Sequence, residues 1–164
     1  MTLKPAFRTW IIAALAIILT NLTGQQAMAT DGLITINSHF SPTETMDRLE
    51  AAVSERGAKI FARIDHAAGA AESGLSLRPT MVLIFGNAKG GTPVMELTQT
   101  AAIDLPLKAL VWQDAEGNTW LSYNDPAWIS RRHAVGPEAD VAVSGMSAFL
   151  QAVAKSVTSG PAGR

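Results

Sequence analysis

One histidine in the middle of this chain has chemistry suited to neutral pH. His66 follows Asp65, and an imidazole beside a carboxylate offers a general acid or base, or a ligand contact. Adjacent residues on a strand point to opposite faces, however, so Asp65 reads better as a helix cap than as a partner. Four more polar residues fall at the ends of apolar runs: Arg78 ahead of TMVLIF, Asn87 after it, Asp104 before Leu105-Pro106, and Tyr123 closing WLSY. The planar fork of Arg78 suits an anion or a salt bridge. Asp104 suits a turn that bonds its own backbone. Polar groups at the rim of a sheet beside an apolar wall make the usual small-molecule pocket. His66, Arg78, Asn87, Asp104 and Tyr123 are therefore the candidate ligand-binding residues, and an anion is among the ligands they would suit.

Other chemistries find less support. The segment GNAKGGT, residues 86–92, resembles a phosphate loop, but Gly91 is followed by Thr92-Pro93 and not by Lys-Ser/Thr. Pro93 also removes an N–H from the helix start that an anion would use. His39, His66 and His133 are far apart in sequence and there is no cysteine, so no zinc-ligand spacing exists. The methionines show no metal-binding cluster and read as core. Ser122 and Ser130 lack the turn that exposes a catalytic serine. No metal is expected and no cofactor is implied.

The elements that must position these residues begin after a leader. Lys4 and Arg8 precede an apolar run from Trp10 to Leu19, which ends in Ala27-Met28-Ala29. This is the pattern of a cleavable secretory signal over residues 1–29. The run is about half the roughly 20 residues a membrane span needs, so no stable span is expected after cleavage before Thr30, and the product would be periplasmic or secreted. Loss of Lys4 and Arg8 leaves 11 basic against 14 acidic side chains, a formal charge of −3. No basic cluster exceeds Arg131-Arg132, which argues against nucleic acid. Without cysteines the domain must rest on a packed core, and a chain of this size can build one.

Leu33 to Phe40 alternates loosely as a strand. Ser41-Pro42-Thr43-Glu44 is an N-cap followed by Pro, with Met46, Leu49 and Val53 at helical spacing and Gly57 as the stop. Residues 58–64 read as a second strand, with Ile60, Ala62 and Ile64 on one face. Asp65 caps a short alanine-rich helix to Glu72. TMVLIF is a central strand, and a helix is expected from Thr92-Pro93 to about Ala102. Residues 108–113 and 119–123 form a hairpin around Asp114–Asn118, Asp125-Pro126 opens another helix, and a last helix after Pro137 ends near residue 155, with 156–164 as a tail. Trp112 and Trp120 would pair across strands, shielding an edge or marking an interface. The expectation is one α+β domain over 30–155, with a single mostly antiparallel or mixed sheet of about five strands and helices packed on one face.

The stretch IDHAAGAAESGLSLRPTMVLIFGNAKGGTPVM, followed by IDLPLKALVW and WLSYNDPAWISRRH, resembles the domain-of-unknown-function family 302, DUF302. The resemblance implies a compact α+β domain that forms a homodimer, with no reaction attached to the family. Ala88 stands where the family often has Pro, and Gln113 where an acidic residue is common. The functional expectation is an exported small-ligand-binding module near His66, Arg78 and Asn87. Its alternatives are an enzyme with His66 as acid or base, and a structural or stress-related interaction protein.

Overall fold

The computed structural model of the protein describes residues 28–160. The expected leader lies mostly outside them, as does the end of the tail. Six strands, β1 (Met28–Thr30), β2 (Leu33–Ser38), β3 (Lys59–Asp65), β4 (Thr80–Gly86), β5 (Leu107–Gln113) and β6 (Thr119–Asn124), form one sheet in the order β1-β2-β6-β5-β4-β3. Every pairing is antiparallel. Five α-helices accompany it: α1 (Pro42–Glu55), α2 (His66–Glu72), α3 (Ala88–Leu97), α4 (Pro126–Arg132) and α5 (Asp140–Thr158). The fold is an open α+β sheet.

Local chemistry sets the elements. Ser41 Oγ accepts the Glu44 N–H, Pro42 sits at the first helical position, and Gly57 leaves α1 at a φ of +75°. Glu44 does not complete a capping box; its carboxylate takes two hydrogen bonds from Arg48 at 2.9 and 3.0 Å. On β4, Met81, Leu83 and Phe85 are buried and alternate with half-buried Val82 and Ile84. The buried set packs with Val111 and Leu121 of the neighbouring strands, Met46 and Leu49 of α1, and Leu150 and Val153 of α5. That places the core between the sheet and the α1/α5 layer. Ser38 Oγ and Thr45 Oγ1, 2.7 Å apart, pin the start of α1 to β2.

Four differences from the sequence reading have physical causes. First, β3 does not keep Ile60, Ala62 and Ile64 on one face, because a bulge between Ile60 and Ala62 shifts the register. Second, α3 starts at Ala88, ahead of Thr92, because Asn87 Oδ1 accepts the Gly90 N–H at 2.7 Å and caps it. Third, α5 runs to Thr158, where the tail was expected from residue 156, because Val157 and Thr158 are buried and the Thr158 carbonyl accepts the His39 N–H. Fourth, Trp112 and Trp120 pair and stack, 6.1 Å between ring centres, but on the central strands β5 and β6 and not at an edge.

Strand β1 is a further addition. Asp31 and Gly32, with φ of +36° and +85°, turn it back onto β2. The Trp128 ring fills the space where a Cβ of Gly32 would sit, so this position admits only glycine. Cleavage before Thr30 would remove Met28 and Ala29 from β1 and leave the other five strands intact.

Candidate functional site

The five candidate residues are not gathered at one place. Asp65 of β3 pairs with Met81 and Lys59 with Gly86, so His66 and Arg78 lie at one end of β4 and Asn87 at the other. Seven residues of strand, at about 3.4 Å each, separate the two ends. His66 is exposed at the start of α2, and Asp65 Oδ1 caps that helix by accepting the Ala68 N–H at 3.0 Å. Arg78 Nε donates to the Gln113 carbonyl at 3.1 Å and ties the β4 entry to the hairpin. Tyr123 is 3% exposed within the core. Burial, with the Asp125 charge adding to it, raises its phenol above the ordinary value.

Asp104 has partners that its sequence neighbours do not suggest. Its Oδ2 lies 2.7 Å from His133 Nε2, and Arg132 Nη1 donates to Oδ1 at 3.3 Å. The other ring nitrogen of His133 lies 3.3 Å from Thr100 Oγ1. Only 9% of the His133 side chain and 12% of the Asp104 side chain meet solvent. The pair ties the 3-10 turn Gln99–Ile103 to the end of α4. Removing the imidazole by His133→Ala leaves a largely covered carboxylate short of one contact. A stability loss of about 1.5–3 kcal/mol is expected for a hydrogen bond to a charged group, and urea unfolding measures it.

At the Asn87 end of the sheet lies a cavity of about 570 Å³, within the roughly 300–1,000 Å³ of small-molecule sites. Met95, Leu105, Leu107, Met146 and Phe149 make its walls, and Asn87, Lys89 and Thr92 are the more polar lining residues. Phe61 and Val141 also line it and are 52% and 87% exposed, so the apolar surface continues onto the outside. Small residues shape it: Gly90 and Gly91 in α3, and Gly145 in α5. A Cβ on Gly145 would meet nothing within 4 Å. A helix-interior glycine costs about 0.5–1 kcal/mol relative to alanine, and no close neighbour of Gly145 requires it. What the glycine does provide is room in the cavity.

Of the five candidates only Asn87 lines this cavity. Its other walls come from three segments far apart in sequence, so periodicity could not assemble them. Two local signals existed: the segment GNAKGGT, all seven residues of which line the cavity, and a glycine inside the apolar repeat of α5. Among the described residues no group of three His, Asp or Glu side chains could hold a metal. Away from the cavity, Asp114 accepts the Trp120 indole N–H at 2.7 Å. That bond, with help from Asn118, holds its carboxyl below the usual range. The contribution is full above the unfolded pKa and is lost as pH falls through the lower folded one.

The chain is 46% identical over 115 residues to "Fluoride-specific ion channel FluC 1" of Brucella suis, covering 70% of this chain and 45% of the relative. The same name and identity recur in Brucella abortus, with 43% of that relative covered. The chain thus spans under half the length of these relatives. An uncharacterized conserved DUF302 protein from Bacillus stearothermophilus has the same fold, with a TM-score of 0.70 and 19% identity over 79% of this chain and all of that one. Residues 34–153, most of the sheet and the helices that build the cavity, match the family described as domain of unknown function DUF302, and the chain belongs to that family.

Proposed function

We propose that this DUF302 domain is an exported small-molecule-binding module whose site is the cavity between the end of β4, α3 and α5. The observation that carries the reading is Gly145. Helix α5 forgoes stability there, and the space it leaves faces an apolar cavity of ligand size. The reading moves the site away from His66 and Arg78 and keeps Asn87.

Amide chemical shifts test it during titration with the apolar dye 8-anilinonaphthalene-1-sulfonate. Saturable shifts at Gly90, Gly91 and Gly145 are expected, with none at His66 or Arg78. Non-saturable shifts scattered over the surface would count against a defined site.

The reading includes a homodimer joined through the sheet face opposite α1 and α5. Half-buried Val82, Ile84, Leu110, Trp112 and Trp120 lie on that face, together with Ile64 at 40% exposure. Channel activity is not part of it. The match covers under half of each Brucella relative. The one helix of membrane-crossing length and composition among the described residues, α5 with its preceding turn, buries Val143, Met146, Leu150 and Val153 in the core.

One observation favours a second reading, an enzyme. His133 stands between the Asp104 carboxylate and the exposed Thr100 hydroxyl, an order that serves nucleophilic catalysis elsewhere. His66 offers no comparable arrangement, with no side-chain partner among the described residues. Thr100→Ala separates the readings: loss of ester hydrolysis at unchanged stability supports the enzyme, and no hydrolysis by the unaltered protein removes it.

A further inference from the structure

The cavity is mostly apolar, and the charge in its lining is basic. Among the described residues Lys89 is the only charged side chain that lines it, and no Asp or Glu does. Lys89 is exposed and makes no ion pair among the described residues. A second lysine, Lys59, is outside the wall, but its Nζ lies 5.3 Å over the ring of Phe61, itself a lining residue. Lys108 is committed elsewhere, donating to the Asp104 and Pro106 carbonyls at 3.1 and 3.2 Å. Asp140 is next to the lining residue Val141 in sequence but is not part of the wall.

We propose that the cavity takes a free medium-chain carboxylate, with its hydrocarbon among Met95, Leu105, Met146 and Phe149 and its headgroup held at the rim by Lys89 and Lys59. This rests on the cavity being a ligand site. An apolar wall rewards methylenes. A rim open to water lets a carboxylate keep most of its hydration, so no buried charge has to be compensated. A lysine in the wall with no carboxylate among the lining residues, and a second lysine over the Phe61 ring, favour an anionic headgroup over a neutral one and disfavour a cationic one. Size sets the length. At roughly 30 Å³ for a water-sized group, a chain of about eight to ten carbons fills half of the cavity and leaves the head at its mouth. Lys and Met side chains are both adaptable, which suits a flexible chain better than a rigid ring system.

The test is isothermal titration of the protein, purified after expression of the full chain, with octanoate, octanol and octylamine, and with hexanoate and decanoate. Octanoate is expected to bind about five- to ten-fold more tightly than octanol, as two exposed ion pairs allow, with octylamine weakest. Each added methylene should tighten binding about four-fold. Lys89→Ala should weaken octanoate about two- to five-fold and leave octanol unchanged, and Lys89→Glu should reverse the order of octanoate and octylamine. Equal binding of all three headgroups, or a Lys89→Ala effect shared by octanol, overturns the carboxylate assignment while the cavity remains a ligand site. Absence of saturable binding by any of them, together with absence of dye binding, overturns the cavity reading itself.

Discussion

Gly145→Leu is expected to abolish dye and ligand binding and at the same time to raise the melting temperature. The two signs follow from one position. Leucine restores the helix propensity that glycine lacks, worth about 0.5–1 kcal/mol, or roughly 2–6 °C for a domain of this size. Apart from the neighbouring residues and the backbone of its own helix, no atom lies within 4 Å of the Cβ position, so the first carbon enters without displacement. The rest of the side chain occupies the space that a ligand would use. Gly145→Ala should give most of the stabilisation with a smaller loss of binding, because one methyl leaves most of the 570 Å³ open. A variant that loses binding because it unfolds would move both quantities down. The combination of higher stability and lost binding, read by thermal unfolding and titration, is specific to a cavity held open by glycine.

Phe85→Ala is expected to cost about 3–5 kcal/mol, as for other fully buried aromatic truncations. Phe85 is 0% exposed at the end of β4, and its ring centre lies 6.2 Å from that of Phe149. Since Phe149 lines the cavity, the void left by the truncation lies next to the cavity. Against a total stability of about 5–15 kcal/mol, such a loss removes a large share, and urea unfolding at neutral pH measures it. Ile84→Ala, one residue back and half-buried on the opposite face of the sheet, should cost more than half as much, because the proposed dimer covers that face. A cost below half would mean that the sheet face away from α1 and α5 is open in solution, against a dimer through that face.

What could be read from the chain depended on how local the signal was. Ser41-Pro42, Asp65, Asp125-Pro126 and Gly57 each act within one helical turn, and each caps or ends the helix as its chemistry indicates. TMVLIF is a continuous apolar run whose length favoured a strand; Met81, Leu83 and Phe85 face the core, while Val82 and Ile84 are half-buried on the other face. The helix at Asn87 was harder. Gly90 and Gly91 lower helix propensity, so Thr92-Pro93 looked like the start, yet the Asn87 side chain caps the helix earlier. The bulge at Phe61 left no trace in the alternation of β3. It matters for the site, since Phe61 reaches the cavity rim.

The candidate site was less legible because it is a product of tertiary packing. Asp104 was read as a turn residue from its own neighbours, but its partner His133 is 29 residues away. His66 drew attention as an imidazole beside a carboxylate, although that carboxylate is used by the Ala68 N–H. Tyr123 closes an apolar run, and burial takes it out of reach of solvent. The cavity joins the first turns of α3 and α5 to the Leu105-Pro106 segment, and nothing in residue spacing brings those together. Gly145 in α5, like Gly90 and Gly91 in α3, is a residue whose oddity in a helical sequence and whose place in the cavity coincide.

Native mass spectrometry of the protein purified after expression of the full chain, without dialysis, beside the Gly145→Leu variant, tests the central claim most directly, and it counts subunits in the same spectrum. The account predicts an organic cargo of one defined mass on the unaltered protein and none on the variant, with an equal subunit count for each. A bare unaltered protein that also fails to take up octanoate or dye, or a cargo carried equally by the variant, would contradict it.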